Sequence, residues 1–424
     1  MIAPARQMGD PVTAEDANTR TEPALAPVAP KQRIASLDLI RGLAVLGILA
    51  VNAAGFAAPM AAYSNADLWP FPHEGATAIS KWVVGAFFRG KFIALFSMLF
   101  GVSLFLVGGE RGDKARGGLL RRRLFWLLII ALVHGLAVWW GDVLLLYAWS
   151  GLFVMFARSW SPRRLMTVGL TLFGLFAALQ ILGPLTLAFA PPETQAQVMA
   201  QMHPTPERIA AVQAQAEDAA GSLAGAYRQN TAGWIAVLVP TLAMFVFSTT
   251  GLMMTGLALF KTGFITGARQ ARLYGTVVVL GALALALVAW LTWRQDMAGE
   301  DLMWAGGVEF LLSPLIGLGY ASLLILVWKA GAAGFLSPLA AAGRMALTNY
   351  LAQSLIMTTL FYGGRGLGLM GQVDRPMLWA VVIAVWALQL IWSPLWLSRF
   401  SMGPLEWVWR RLTYGRIAPI RQAA

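Results

Sequence analysis

Along the chain, apolar residues gather in runs longer than soluble helices need, separated by short polar breaks. From Leu37 onward the runs cover residues 37–57, 82–107, 124–141, 143–157, 165–190, 232–260, 272–292, 305–328, 338–362 and 377–397. A helix needs about 20 apolar residues to cross the hydrocarbon of a bilayer. All runs come near that length except the third and fourth, which meet at Trp139-Trp140-Gly141-Asp142. The pattern predicts an all-α fold, a polytopic transmembrane helical bundle of about ten spans. The longest polar break, 191–231, is rich in Ala and Gln. Within it, Thr205-Pro206-Glu207 offers a cap, a proline at the first helical position and an acid in the first turn. One or two amphipathic helices at the outer surface are expected there.

The flanks differ. Residues 1–32 are Ala/Pro-rich with scattered charges and no apolar run, the composition of a disordered cytoplasmic tail without a signal-peptide core. Residues 33–398 form the transmembrane domain, and 399–424 a cytoplasmic C-terminal segment. Hydrophobic residues make up 58% and charged residues 12%, against roughly 45–50% and about 25% in soluble domains. Lipid must cover the excess, so the bilayer is the first partner. The net charge of +12 suggests nucleic acid until its distribution is examined. With the N-terminus inside, 23 of the 32 Lys and Arg fall in inner segments and only 6 in outer ones. That asymmetry is the positive-inside rule, and it gives a multi-pass protein with N-in, C-in and ten spans. Nucleic-acid binding is not expected.

There is no cysteine, and the histidines are His73, His134 and His203. No metal-ligand spacing occurs, so disulfides, thiolate chemistry and a catalytic zinc site are excluded. Charges inside spans cost about 2.5–3.5 kcal/mol each on insertion scales, so each needs a reason. Asp38 and Arg41, three apart, share a helix face with Asn52 three turns above. This stripe either locks the first helix or lines a substrate path. His134 is followed eight residues on by Asp142, in a helix break. Together they can make a general acid–base pair in which the carboxylate orients the ring. Alternatively, His134 bonds a neighbouring carbonyl and Asp142 caps the fourth span.

Gly85 to Lys91 spells most of a phosphate-binding loop, but Phe92 stands where Ser or Thr must hold magnesium, and no strand precedes it. A nucleotide site is rejected. Arg89 and Lys91 either snorkel to headgroups or face a cavity through a break at Gly90. Thr348, Asn349, Tyr350, Gln353 and Ser354 form a polar run in which Asn349 and Gln353 share a face. They either glue helices together or line a cavity. Arg344, Arg410 and the Arg121–Arg123 cluster supply inner positive charge, explained equally by topology or by an anionic ligand.

Several ordered motifs resemble the YeiB-like family of bacterial polytopic membrane proteins, a domain of unknown function. They are Ser36-Leu37-Asp38-Leu39-Ile40-Arg41-Gly42 with Asn52, Lys91-Phe92 through Phe100-Gly101, and His134-Gly135 with Trp140-Gly141-Asp142. Gly343-Arg344 through Gln353-Ser354 and Gly403-Pro404-Leu405-Glu406-Trp407 continue the set. The resemblance covers the chain from about residue 33 and implies a loosely described role in transport. The opening motif is also similar to that of heparan-glucosaminide N-acetyltransferase-type transmembrane acyltransferases. That likeness implies an acyl group passed from cytoplasmic acyl-CoA to an acceptor across the membrane, with a histidine after the first span. His73 is the residue in that loop able to match, but its Trp, Gly and Asp surroundings do not align, which favours His134.

Three readings follow. As an acyltransferase, the protein would acylate a hydroxyl or amine on a small-molecule, lipid or glycan acceptor at the outer side. His134 or His73 would be the base, Asp142 the orienting acid, and Asn52 or Asn349 the oxyanion donor. Acyl-CoA would be a co-substrate, its phosphates meeting Arg344, Arg410 or Arg121, with no permanently bound cofactor. As a transporter, Asp38, Arg41, His134 and Asp142 would relay protons or anions, and as an envelope scaffold none of them would react. Self-association into a homo-oligomer is left open.

Overall fold

The computed structural model describes residues 34–202, 204–300, 302–415 and 419–421. The expected tail over 1–32 and His203 lie outside them. Every named element among the described residues is helical. The N-terminal half runs α1 (Ala35–Ala57), α2 (Met60–Ser64), α3 (Gly75–Val83), α4 (Lys91–Gly108), α5 (Lys114–Ala137) and α6 (Leu144–Ala157). It is followed by α7 (Pro162–Ala188), α8 (Pro192–Met202), α9 (Pro206–Gly221), α10 (Leu223–Pro240) and α11 (Val246–Lys261). The C-terminal part holds α12 (Ala271–Asp296), α13 (Ala305–Lys329), α14 (Ser337–Arg344), α15 (Ala346–Phe361), α16 (Arg375–Leu397) and α17 (Pro404–Tyr414).

Seven helical stretches are long and apolar enough to cross a membrane: α1, α3–α4, α7, α10–α11, α12, α13 and α16. Their outward faces carry leucines where a soluble protein would carry charge. Leu175, Leu283 and Leu395 are all exposed, as expected of a surface that faces acyl chains. This is a membrane protein. The other three expected spans fall on α5, α6 and α14–α15. Helix α5 opens on a basic run, α6 has 14 residues, and α14–α15 breaks at Met345 (φ −110°, ψ 29°).

Sequence chemistry explains the helix starts. Asp113, Ser161 and Thr205 each accept a backbone N–H from the first turn of α5, α7 and α9, satisfying donors that a helix leaves orphaned. Asp374 does the same for α16 while also accepting from Trp69 Nε1 (3.0 Å) and Thr77 Oγ1. Helices α1 and α14 cross at backbone contact. A Cβ on Gly343 would lie 1.8 Å from the Asp38 carbonyl oxygen, and one on Gly42 2.0 Å from that of Leu339. Only glycine permits that approach.

Beside two small apolar clusters around Val288 and Met345, two large ones make up most of the core. One is built on Ile40, Leu95, Met98, Leu124, Met253 and Leu257. The other gathers Phe56, Trp139, Trp140, Met357, Phe361 and Tyr362 with the buried face of α9, Val212, Ala216 and Ala219. The expected surface helices over 191–231 are α8, α9 and the start of α10, and α9 packs into this second cluster rather than lying free.

Candidate functional site

At the end of α5 the chain stops being helical in one turn. The His134 carbonyl accepts from both Val138 and Trp139 N–H, at 2.9 Å each. The bend brings Asp142 back to His134, with Nδ1 and Oδ1 2.8 Å apart and side chains only 2% and 1% exposed. Asp142 Oδ2 accepts the Leu145 N–H at 2.7 Å and so starts α6. The carboxylate thus both caps α6 and lies against the ring, while the alternative bond from His134 to a neighbouring carbonyl is not found among the described residues. With Nδ1 against a carboxylate, the neutral imidazole carries its proton there and leaves a lone pair on Nε2. That nitrogen is buried without a hydrogen-bond partner among the described residues.

The surroundings are aromatic and selectively satisfied. The Tyr350 ring lies 5.4 Å from the imidazole, and its hydroxyl accepts the Val143 N–H at 3.3 Å. Trp139 stacks on Phe56 at 3.9 Å. Asn230 Nδ2 donates to the Gly135 and Leu136 carbonyls, at 2.9 and 3.0 Å. Arg365 donates to those of Val138 and Ala137, at 2.9 and 2.5 Å. The exposed end of α5 is thereby closed by side chains from α10 and from the loop after α15. Trp140 Nε1, Asn230 Oδ1 and the Tyr362 hydroxyl, like His134 Nε2, are buried without a partner among the described residues.

A second polar group lies where α3 and α4 are joined. A π-helical turn over Val84–Phe88 ends in Gly90, whose φ of +79° suits glycine. There Lys91, 0% exposed, donates to the Gly85 carbonyl at 2.8 Å and pairs with Glu309 at 3.2 Å. Arg89 Nε meets the same carboxylate at 3.2 Å, but its side chain is 53% exposed. The sequence reading missed Glu309. The available signal was a lone carboxylate inside the apolar run 305–328, which needs a partner.

The other candidates are placed as follows. Asp38 and Arg41 pair at 3.0 Å, partly buried. Asn52 is half-buried, one turn before Phe56. His73 is exposed in the loop before α3, whereas the dyad is buried. Asn349 Nδ2 donates to the Ala342 carbonyl and Ser393 Oγ, and its Oδ1 accepts from Trp392 Nε1 at 2.7 Å. Gln353 Nε2 donates to the Val45 carbonyl and to Gln389 Oε1. Both amides are thus engaged in joining α1, α14, α15 and α16, with no amide hydrogen left for a ligand. Glu406 caps α15, accepting the Leu347 and Thr348 N–H at 2.7 and 3.1 Å. Arg344 donates to the Ser401 carbonyl at 3.3 Å, and Arg410 is half-buried on α17. Arg121 lines a basic cavity at the start of α5. No cluster of three metal-ligating side chains occurs among the described residues.

Fold and interior together define a polytopic all-helical membrane protein built around a buried His–Asp pair. The chain belongs to the YeiB-like family. The model of that family, described as a protein of unknown function (DUF418), matches residues 259–416. The "uncharacterized protein YeiB" of Escherichia coli (strain K12) is 32% identical over 407 residues, covering 92% of this chain and 98% of that protein. The "uncharacterized protein YxaH" of Bacillus subtilis (strain 168) is 30% identical over 435 residues, covering 93% and 98%. No solved structure matches. The matched stretch 259–416 contains Glu309, Asn349, Gln353 and Glu406, while His134 and Asp142 precede it.

Proposed function

We propose that the protein is an acyltransferase of the bacterial inner membrane, moving an acyl group from cytoplasmic acyl-CoA to a hydroxyl or amine at the outer side. The observation that carries this reading is the buried His134–Asp142 dyad with its outward nitrogen unpartnered. Nε2 would take the proton of the acceptor as its oxygen or nitrogen attacks the thioester carbonyl. The tetrahedral intermediate would then expel the CoA thiolate, which recovers the proton from the imidazolium. Asp142 stabilises that cation and fixes the tautomer. Asn52, half-buried on α1, is the better oxyanion donor, because both Asn349 amide hydrogens are engaged.

Basic-residue placement supports ten spans with both termini inside. In that arrangement α6, about 21 Å long at 1.5 Å per residue, is shorter than the roughly 30 Å hydrocarbon core. The dyad then lies beneath the outer surface, covered by α9, α10 and the Arg365 loop. A transporter is the second reading, favoured by the Arg89–Lys91–Glu309 charges within candidate spans.

The test uses purified protein in nanodiscs of native lipid, with acetyl-CoA and palmitoyl-CoA as donors and release of free CoA as the readout. His134→Gln should keep the fold and lose about 10²–10⁴-fold in rate, the usual contribution of a general base. A wild-type protein that neither retains nor cleaves either donor refutes the reading, as does a fully active His134→Gln.

A further inference from the structure

The opposite end of α5 carries chemistry that the dyad does not use. His134 is 20 residues from Lys114, roughly 30 Å along the helix axis. Beside that first turn is a cavity of about 320 Å³, lined by Arg111, Lys114, Arg121 and Arg158 with Asp113 and Gly117. We propose that this cavity is a binding pocket for a phosphate group on a cytoplasmic or inner-leaflet ligand. It deepens the acyl-transfer reading, in which Arg121 meets the phosphates of acyl-CoA, and its observations stand apart from the dyad.

Arg158 is the built part of the pocket. It is 6% exposed, its Nε donates to the Gly109 carbonyl at 3.1 Å and its Nη1 to that of Met155 at 2.6 Å. Those bonds fix the guanidinium plane. Its Nη2 has no partner among the described residues and faces Gly117, where even a Cβ would come within 3.2 Å. With Nε and Nη1 held by carbonyls, Nη2 remains to donate to a phosphate oxygen from a fixed guanidinium plane. The first-turn N–H groups of α5 add the partial positive charge of a helix N-terminus.

The charge balance points the same way. Arg111 is tied through its backbone N–H to Ser159 Oγ, and its Nη1 reaches the Phe156 carbonyl at 3.4 Å. Lys114 and Arg121 are exposed and make no ion pair among the described residues. Two acids face this group. Asp113 caps α5 through Arg116 N–H at 2.8 Å, and Glu110 is paired with Lys261 at 3.4 Å. Four cations are therefore left against one carboxylate. Burial first, and then the nearby Arg111 and Arg121 charges, hold the Arg158 guanidinium below the ordinary arginine range, and a bound anion would offset the repulsive part. Phe156, 57% exposed beside the cavity, supplies an apolar wall for the group that carries the phosphate.

Two sources share this chemistry, a free nucleotide and a phospholipid headgroup, and two arms separate them. In the first, full-length protein in phosphatidylcholine nanodiscs is titrated with adenosine 3′,5′-bisphosphate by calorimetry. In the second, phosphatidylglycerol is added to the nanodiscs and its retention on the protein is read by native mass spectrometry. Arg121→Gln and Lys114→Gln are the test variants, since both side chains are exposed and outside the packed core. Each should weaken the productive arm by about tenfold, as loss of a charge-assisted phosphate contact does. Nucleotide binding lost in the variants assigns a soluble ligand, and phosphatidylglycerol retention lost in them assigns the membrane. No saturable binding in either arm, or binding indifferent to both substitutions, overturns the proposal. Because binding is read without turnover, an inactive dyad and an empty pocket are distinguished.

Discussion

Replacing Glu309 by Gln leaves the shape of the α4–α13 contact unchanged and removes its negative charge. Lys91 is the residue that feels the change. Its ammonium is fully buried and bonds the Gly85 carbonyl at 2.8 Å and Glu309 at 3.2 Å. After the substitution only neutral acceptors face that charge. Breaking a buried pair from one side typically costs about 3–5 kcal/mol. Arg89 adds little, because a half-exposed guanidinium can turn to water or headgroups, and exposed pairs are worth roughly 0–1 kcal/mol. A loss of this size should lower the unfolding midpoint by on the order of 10 °C, read from the intrinsic fluorescence of the 18 tryptophans in nanodiscs. Lys91→Met should cost less, because Glu309 keeps Arg89. The double substitution should recover part of the Glu309→Gln loss, since it removes the stranded charge. An unaltered midpoint in Glu309→Gln, or a double variant as unstable as the two losses added, refutes the reasoning.

Reporter fusions at Gln213 and after Ala424 should give outside and inside signals respectively, and the same side for both sinks the ten-span, N-in and C-in arrangement. Gly343→Ala should separate α1 from α14 and reduce folded yield several-fold in size-exclusion profiles, because its Cβ would lie 1.8 Å from a backbone oxygen; normal yield would mean that the crossing can open. Burial holds the Glu406 carboxyl above its ordinary value of 4.5, outweighing the donors from Thr348 and Leu347. The folded state then keeps a proton that the unfolded chain has lost, so this contribution is full below pH 4.5 and falls as pH rises through the raised value. Glu406→Gln should flatten the dependence of the unfolding midpoint on pH in that window, and equal slopes in the two proteins refute the shift.

The helices were legible where apolarity and helicity coincide, as in α1, α12, α13 and α16. They were less so where a helix continues through charge. The apolar run 124–141 marks only part of α5, which begins ten residues earlier because Asp113 caps it and the basic turns of 114–123 remain helical. The His134–Asp142 contact was readable because both groups lie on one short stretch, eight residues apart across a glycine break. Glu309 was not, since its lysine partner is 218 residues away and spacing says nothing about helices that meet from distant parts of the chain. The polar run at 348–354 was visible as a cost without its resolution. The groups that answer Asn349 and Gln353 are Val45 on α1 and Gln389, Trp392 and Ser393 on α16.

That last contrast separates glue from chemistry inside this bundle. Where water is scarce, a buried polar atom without a partner costs about 1–3 kcal/mol, so a purely structural network should close on itself. The Asn349–Gln353–Gln389 group does: both hydrogens of the Asn349 and Gln353 amides are donated, and Gln389 Nε2 returns a bond to the Asn349 carbonyl at 2.9 Å. Around the dyad the chain brings Asn230 and Arg365 from distant segments to satisfy four carbonyls at the end of α5. Yet it leaves the nitrogen of His134 that faces away from Asp142 unmatched. A bond to that nitrogen from Trp140 Nε1 or the Tyr362 hydroxyl, both likewise without a partner among the described residues, is not made. A packing histidine gains from such a bond, whereas a base loses its function by making one. The open nitrogen at His134, beside the complete satisfaction at Asn349, is what the proposed role as a proton acceptor requires.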